Sequence, residues 1–129
     1  MNPKILMFAS ACFMAAAGLD LLFAPAETLS AFSVGANPLL STVAQIMGAL
    51  YLGFAMLNWM ARRSTIGGIY NRPLVLANLI HFFVGALALM MAANKIPGSA
   101  VAWMVVAAYS IFAIGFGTLL FSSPRLTAS

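Results

Sequence analysis

PLVLANLIHFFVGALALMMAA, residues Pro73 to Ala93, is a nearly unbroken apolar run that also holds the single histidine of the chain, His81. A helix rises roughly 1.5 Å per residue and a bilayer core needs about 20 residues, so this run is long enough to cross. At helical spacing Asn78, His81, Gly85, Ala88 and Ala92 share one face, while Phe82, Phe83, Leu87, Leu89 and Met90 cover most of the remainder. Small and polar side chains mediate helix packing in lipid. The first face is therefore expected to meet protein and the second to meet acyl chains.

Working outward, the same character recurs in Ile5 to Ala24, Leu39 to Ala61 and Ala100 to Phe121. The chain has 129 residues, 64% of them hydrophobic and 6% charged, whereas about a quarter of the residues in a soluble domain are charged. The predicted fold class is all-α: a polytopic membrane protein, one domain over residues 1–129, built as an antiparallel bundle of four transmembrane helices. The spans are expected at about 5–24, 39–61, 73–93 and 100–121. A net charge of +4 from scattered basic residues is too sparse for a nucleic-acid surface. The partners to expect are the lipid bilayer and either a second copy of the chain or another membrane protein, with no nucleic acid. Cys12 is the sole cysteine, which excludes an intrachain disulfide.

The first run opens after Lys4 and closes at Pro25, with Asp20 near its end on the same face as Leu6, Ala9, Phe13 and Ala16. A secretory signal peptide is the rival reading; the length of the run and the presence of Asp20 favour a retained span. Ala26 to Pro38 is the longest break, and two readings of it stand side by side: a short interfacial helix around Thr28 to Phe32, with Leu29 and Phe32 resting on the bilayer, or a solvated loop. In the second span Ser41, Ala44, Gly48, Tyr51, Ala55, Asn58 and Arg62 recur at steps of three and four, the seam of a left-handed helix pair. Trp59 falls where an aromatic anchor belongs, at headgroup level. The connection Arg62 to Arg72 carries three arginines and the turn-forming Gly67 and Gly68, and Pro73 is expected at the first position of the next helix. So short a link predicts that the second and third spans are antiparallel neighbours whose small faces meet. Asn94 to Ser99, NKIPGS, reads as a tight turn. The fourth span offers Ala107, Ser110, Ala113 and Gly117 as its small face, with Trp103 at one interface and Tyr109 near mid-depth.

An even number of spans puts Lys4, Arg62, Arg63, Arg72 and Arg125 on one side and only Lys95 on the other. The positive-inside rule then predicts both termini in the cytoplasm. With that orientation, Asp20 and Gln45 fall in the outer half of the membrane as a candidate polar pair. Asn58, Asn78 and His81 fall in the inner half, with Tyr51 level with His81 near the centre and Thr118 close to that level. Tyr51, Asn58, Asn78 and His81 form the best candidate ligand site, because Tyr51 can reach His81 and Asn58 can reach Asn78 if the two spans are neighbours. Intramembrane polar groups commonly serve packing, yet an ionisable one is a site by default. His81 could bond a quinone, a lipid headgroup or another amphiphile, or ligate a haem axially. A haem needs a further ligand, and one histidine is a poor metal site. Lys95 is the basic residue nearest Asp20, and the two could form a modest exposed ion pair. No catalytic triad, paired cysteines or phosphate-binding loop is present.

GLDLLFAP (Gly18 to Pro25), GALYLGFAMLNWMARR (Gly48 to Arg63) and ANLIHFFVGAL (Ala77 to Leu87) give the chain a plan that resembles DoxX-like and related small four-helix proteins of the bacterial inner membrane. The resemblance implies a four-helix fold and a cytoplasmic-membrane location, and it carries no activity. Small multidrug transporters are similar in size but use a carboxylate in the middle of the first helix, where Asp20 does not lie. Small fluoride channels are a further four-span comparison, whose dual topology conflicts with the arginine bias. The leading expectation is a structural or accessory membrane component that associates with itself or a partner. The alternative is a binder or carrier of a small amphiphile between the second and third spans, and the third is a small-solute transporter.

Overall fold

A computed structural model describes residues 2–63, 71–96 and 99–122. The helices are α1 (Pro3–Phe23), α2 (Pro25–Ala31), α3 (Pro38–Ala61), α4 (Asn71–Ala93) and α5 (Ala100–Ser122). Local chemistry sets where they begin. Asn2 caps α1 by accepting from the Lys4 N–H at 3.0 Å, Asn37 caps α3 by accepting from the Leu40 N–H at 2.9 Å, and Ser99 Oγ accepts from the Ala102 N–H at 3.2 Å. Prolines occupy the first turns of α1, α2 and α3, where their missing N–H is no loss. In α4 Pro73 falls in the first turn, two residues later than expected. The Gly67–Gly68 turn, Pro97, Gly98, Pro124 and Arg125 lie outside the described residues.

Among the described residues four helices, all but the short α2, are long and apolar enough to cross a membrane. The chain is a multi-pass membrane protein with an all-α four-helix bundle. Successive spans run antiparallel, and the closest pairings are α1 with α3 and α4 with α5, with α1 also touching α5. In the first pair the backbones nearly meet: a Cβ on Gly18 would stand 2.9 Å from the Gly48 carbonyl oxygen, and one on Gly48 2.7 Å from that of Gly18. In the second pair the Tyr109 ring lies over Gly85, 2.6 Å from where a Cβ would be. Small residues permit these approaches, and the dispersion gained along each seam replaces the hydrophobic drive that is missing between helices in lipid.

The α3 seam is the one expected, since Ala44, Gly48, Ala55 and Asn58 are its buried residues. Its partner differs from the expectation, because Gly48 meets α1 and not α4. On α4 the inward face is also rotated: Val75, Asn78, Phe82, Ala86 and Ala93 are buried, and Ala88 and Ala92 are exposed. Phe82, expected against acyl chains, is 0% exposed at the bundle centre, stacked on Phe112 at 4.8 Å and on Phe116 at 5.8 Å, with Tyr109 edge-on at 5.2 Å. The reason is geometric. Small residues suit the line where two helices touch, while the axis shared by four helices is a wider space that only large side chains fill at interior density. Leu6, Met7, Ser10, Ala11, Met14 and Gly18 are the buried positions of α1, which leaves Ala16 and Asp20 exposed instead of on the packed face with Leu6.

The break does hold a helix, α2, which starts earlier than Thr28 and is followed by Ser33 at φ 60°. Val34 N–H returns to Leu29 O at 3.0 Å and Ser33 N–H to Ser30 O at 2.9 Å, the paired bonds of a left-handed helix stop. Phe32 is half-buried. It packs against the cluster of Ala93, Ala102 and Val106 at the end of the α4–α5 hairpin.

Candidate functional site

Near the end of the bundle where α3 finishes and α4 begins, three side chains with 0% exposure, Ser10, Asn58 and Asn78, tie α1, α3 and α4 together. The two carboxamides face each other reciprocally: Asn58 Nδ2 donates to Asn78 Oδ1, and Asn78 Nδ2 to Asn58 Oδ1, both at 2.8 Å. The second N–H of Asn58 goes to Ser10 Oγ at 3.0 Å, and that of Asn78 to the Leu74 carbonyl at 2.9 Å. Ser10 then donates to the Met7 carbonyl at 3.0 Å. Every donor in the set is used, as a dry interior demands. The structure thus brings Asn58 and Asn78 together as the sequence suggested, and leaves them no N–H to offer a ligand.

The second polar level lies near mid-bundle. The hydroxyls of Tyr51 on α3 and Tyr109 on α5 are hydrogen-bonded to each other, so Tyr51 turns away from the expected bond to His81. The imidazole sits among rings: Tyr51 edge-on at 5.3 Å, Phe54 stacked at 5.5 Å, Phe82 edge-on at 5.0 Å and Tyr109 tilted at 5.4 Å. His81 Nε2 is the one buried side-chain nitrogen or oxygen among the described residues that has no hydrogen-bond partner. Thr118, expected close to this level, turns its hydroxyl onto the Gly115 carbonyl of its own helix at 2.8 Å.

The outer pair does not form. Asp20 and Gln45 are both exposed, and Gln45 donates to the Leu22 carbonyl at the end of α1, at 3.2 Å. No ion pair joins Asp20 to Lys95. These groups lie on the surface, while Phe13, Phe82, Phe112 and Phe116 pack in the apolar interior of the bundle. At the opposite end, Arg62 is spent on Trp59: its guanidinium carbon stands 3.6 Å from the indole centroid and it donates to the Trp59 carbonyl. This cation–π contact fixes the indole against the guanidinium at the end of α3.

Two residues of these sites, Ser10 and Tyr109, were not in the candidate set. Tyr109 carried a signal, a tyrosine at mid-depth in an apolar run whose hydroxyl needs a partner. Ser10 carried little, because a serine in a helix can bond its own backbone anywhere along the chain. Among the described residues no three His, Cys, Asp or Glu side chains gather as a metal site would require. No family model matches the chain, and neither the curated proteins nor the solved structures contain a match to it.

Proposed function

We propose that the chain is a structural or accessory component of a membrane, a rigid bundle that acts by associating with a copy of itself or with another membrane protein. The observation that carries this reading is the closed Ser10–Asn58–Asn78 network: the buried amides and hydroxyl are consumed in locking helices together. The outer surface offers a means of association. Ala49 and Gly53 are exposed on α3 at the small-xxx-small spacing that lets transmembrane backbones approach, and a Cβ on Gly53 would meet nothing within 4 Å. The arginine bias, together with the resemblance to DoxX-like proteins, favours a bacterial cytoplasmic membrane with both termini inside. The mass of the detergent-solubilised protein tests association. A dimer or larger species that Gly53→Ile reduces to monomer supports it; a strict monomer that also retains no membrane partner contradicts it. Orientation is tested with Cys12→Ser plus Ser64→Cys in intact cells, where an impermeant maleimide should fail to label, and labelling from outside would reverse the topology.

A second reading is favoured by His81 Nε2, an unsatisfied atom in a region where such groups are costly. In this reading a small amphiphile, such as a quinone or a lipid carbonyl, hydrogen-bonds His81 between α3 and α4, with Tyr51 and Phe54 against its ring. Extracted ligand identified by mass spectrometry should fall in His81→Ala, and unchanged ligand content would dismiss the site.

A further inference from the structure

At the end of the bundle where α4 begins and α5 finishes, a groove of about 470 Å³ opens at the surface, lined by Arg72, Pro73 and Leu76 of α4 and Leu120 and Phe121 of α5. Its volume lies within the roughly 300–1,000 Å³ of small-molecule sites. Four of the five lining residues are apolar and the fifth is a cation, the composition of a slot for something with one negative group and a hydrocarbon body.

The charge distribution makes the negative group an external one. The entire chain has 2 acidic side chains, Asp20 near the end of α1 and Glu27 on α2, and both lie at the other end of the molecule. Lys4, Arg62, Arg63 and Arg72 all share the end with the groove, so no side-chain carboxylate can reach Arg72. Arg62 is held by Trp59, whereas Arg72 is exposed and engages no carboxylate among the described residues. A guanidinium beside an apolar trough, with no acidic side chain at its end of the bundle, suits an anion delivered by the membrane. Basic pockets between transmembrane helices bind anionic headgroups for this reason.

We infer that the groove between the start of α4 and the end of α5 is a selective site for an anionic phospholipid, its phosphate paired with Arg72 and an acyl chain laid along Leu76, Leu120 and Phe121. The planar guanidinium suits a phosphate diester through paired N–H donors. The apolar wall discriminates a phospholipid from a soluble phosphate, because the chain then contributes burial that the headgroup alone cannot. The site is separate from the Asn58–Asn78 network and from His81, and it stands whether or not the bundle self-associates.

The test is native mass spectrometry of the full-length protein released from vesicles of equal parts phosphatidylglycerol and phosphatidylcholine. The wild type should retain phosphatidylglycerol over phosphatidylcholine by about fivefold, the size of one basic residue's attraction to an anionic surface. Arg72→Gln should bring that ratio to about one, and Leu76→Trp, which fills the trough and leaves the charge in place, should lower it as well. Arg62→Gln should preserve the ratio, and inorganic phosphate at about 10 mM, well below physiological ionic strength, should leave it unchanged. Equal retention of the two lipids by the wild type, or an unaltered ratio in Arg72→Gln, overturns the proposal. So does a ratio that Leu76→Trp leaves intact or that free phosphate abolishes, since either would reduce the site to a bare surface charge. Helical content by circular dichroism is measured for each variant, and both Arg72→Gln and Leu76→Trp alter surface residues that a folded bundle tolerates.

Discussion

Alanine substitution of Asn58 and Asn78, singly and together, probes the lock that joins α1, α3 and α4. Asn58→Ala removes the reciprocal pair with Asn78, at 2.8 Å each, and the bond to Ser10 at 3.0 Å. With interhelical hydrogen bonds in membranes averaging about 0.6 kcal/mol, the lost bonds amount to about 2 kcal/mol, increased by the amide left unpaired on Asn78. Asn78→Ala loses the same reciprocal pair and its bond to the Leu74 carbonyl, for a similar cost. The pair is common to both single variants, so the double variant should be more stable than the sum of the singles predicts, by about 1 kcal/mol. Reversible unfolding in mixed micelles with increasing sodium dodecyl sulfate, followed by circular dichroism, gives the four free energies of the cycle. Effects that add to within about 0.3 kcal/mol would mean that the two carboxamides do not bond, and would refute the reasoning.

The α1–α3 contact predicts opposite behaviour for two glycines of one helix. Gly48→Ala should destabilise by about 1–3 kcal/mol, because its Cβ would stand 2.7 Å from the Gly18 carbonyl oxygen and 3.0 Å from the Leu22 nitrogen, both backbone atoms that must shift. Gly53→Ala, with nothing within 4 Å of the new atom, should be neutral or stabilising by up to about 1 kcal/mol through helix propensity; equal effects in the same titration would contradict the pairing. Ser33→Gly relieves a left-handed backbone at φ 60° and should stabilise the α2 stop by on the order of 0.5 kcal/mol, read as slower amide exchange in Pro25–Ala31. Unchanged or faster exchange there would mean that the stop is not strained.

The number of spans was legible because a bilayer imposes one length and one polarity on any helix that crosses it, and the runs around Phe13, Tyr51, His81 and Phe112 met both. The seam of α3 was legible for a similar reason, since Ala44, Gly48, Ala55 and Asn58 combine small size with a heptad-like spacing. Which helix that seam would meet was not. A short link between α3 and α4 constrains where they sit in the bundle, yet Gly18 on α1 offered a match for Gly48 that local spacing does not reveal. The misplaced face of α4 has a different origin. Polarity marked His81, while the space at the bundle axis selected Phe82, one position and roughly 100° away on a helix of about 3.6 residues per turn. At the candidate site the Asn58–Asn78 pair followed from depth and from the short link between α3 and α4, whereas the Tyr51–Tyr109 pair required knowing that the Tyr109 hydroxyl of α5 reaches across to α3.

The most direct measurement is footprinting of the protein in liposomes with a photoactivated carbene carried on an acyl chain, read residue by residue by mass spectrometry. The adjacent rings Phe82, 0% exposed, and Phe83, 54% exposed, should separate cleanly, with label on Phe83 together with Met91 and Ile114 and none on Phe82, Met14 or Phe116. Comparable labelling of Phe82 and Phe83 would place the axis of the bundle in contact with lipid and contradict the account.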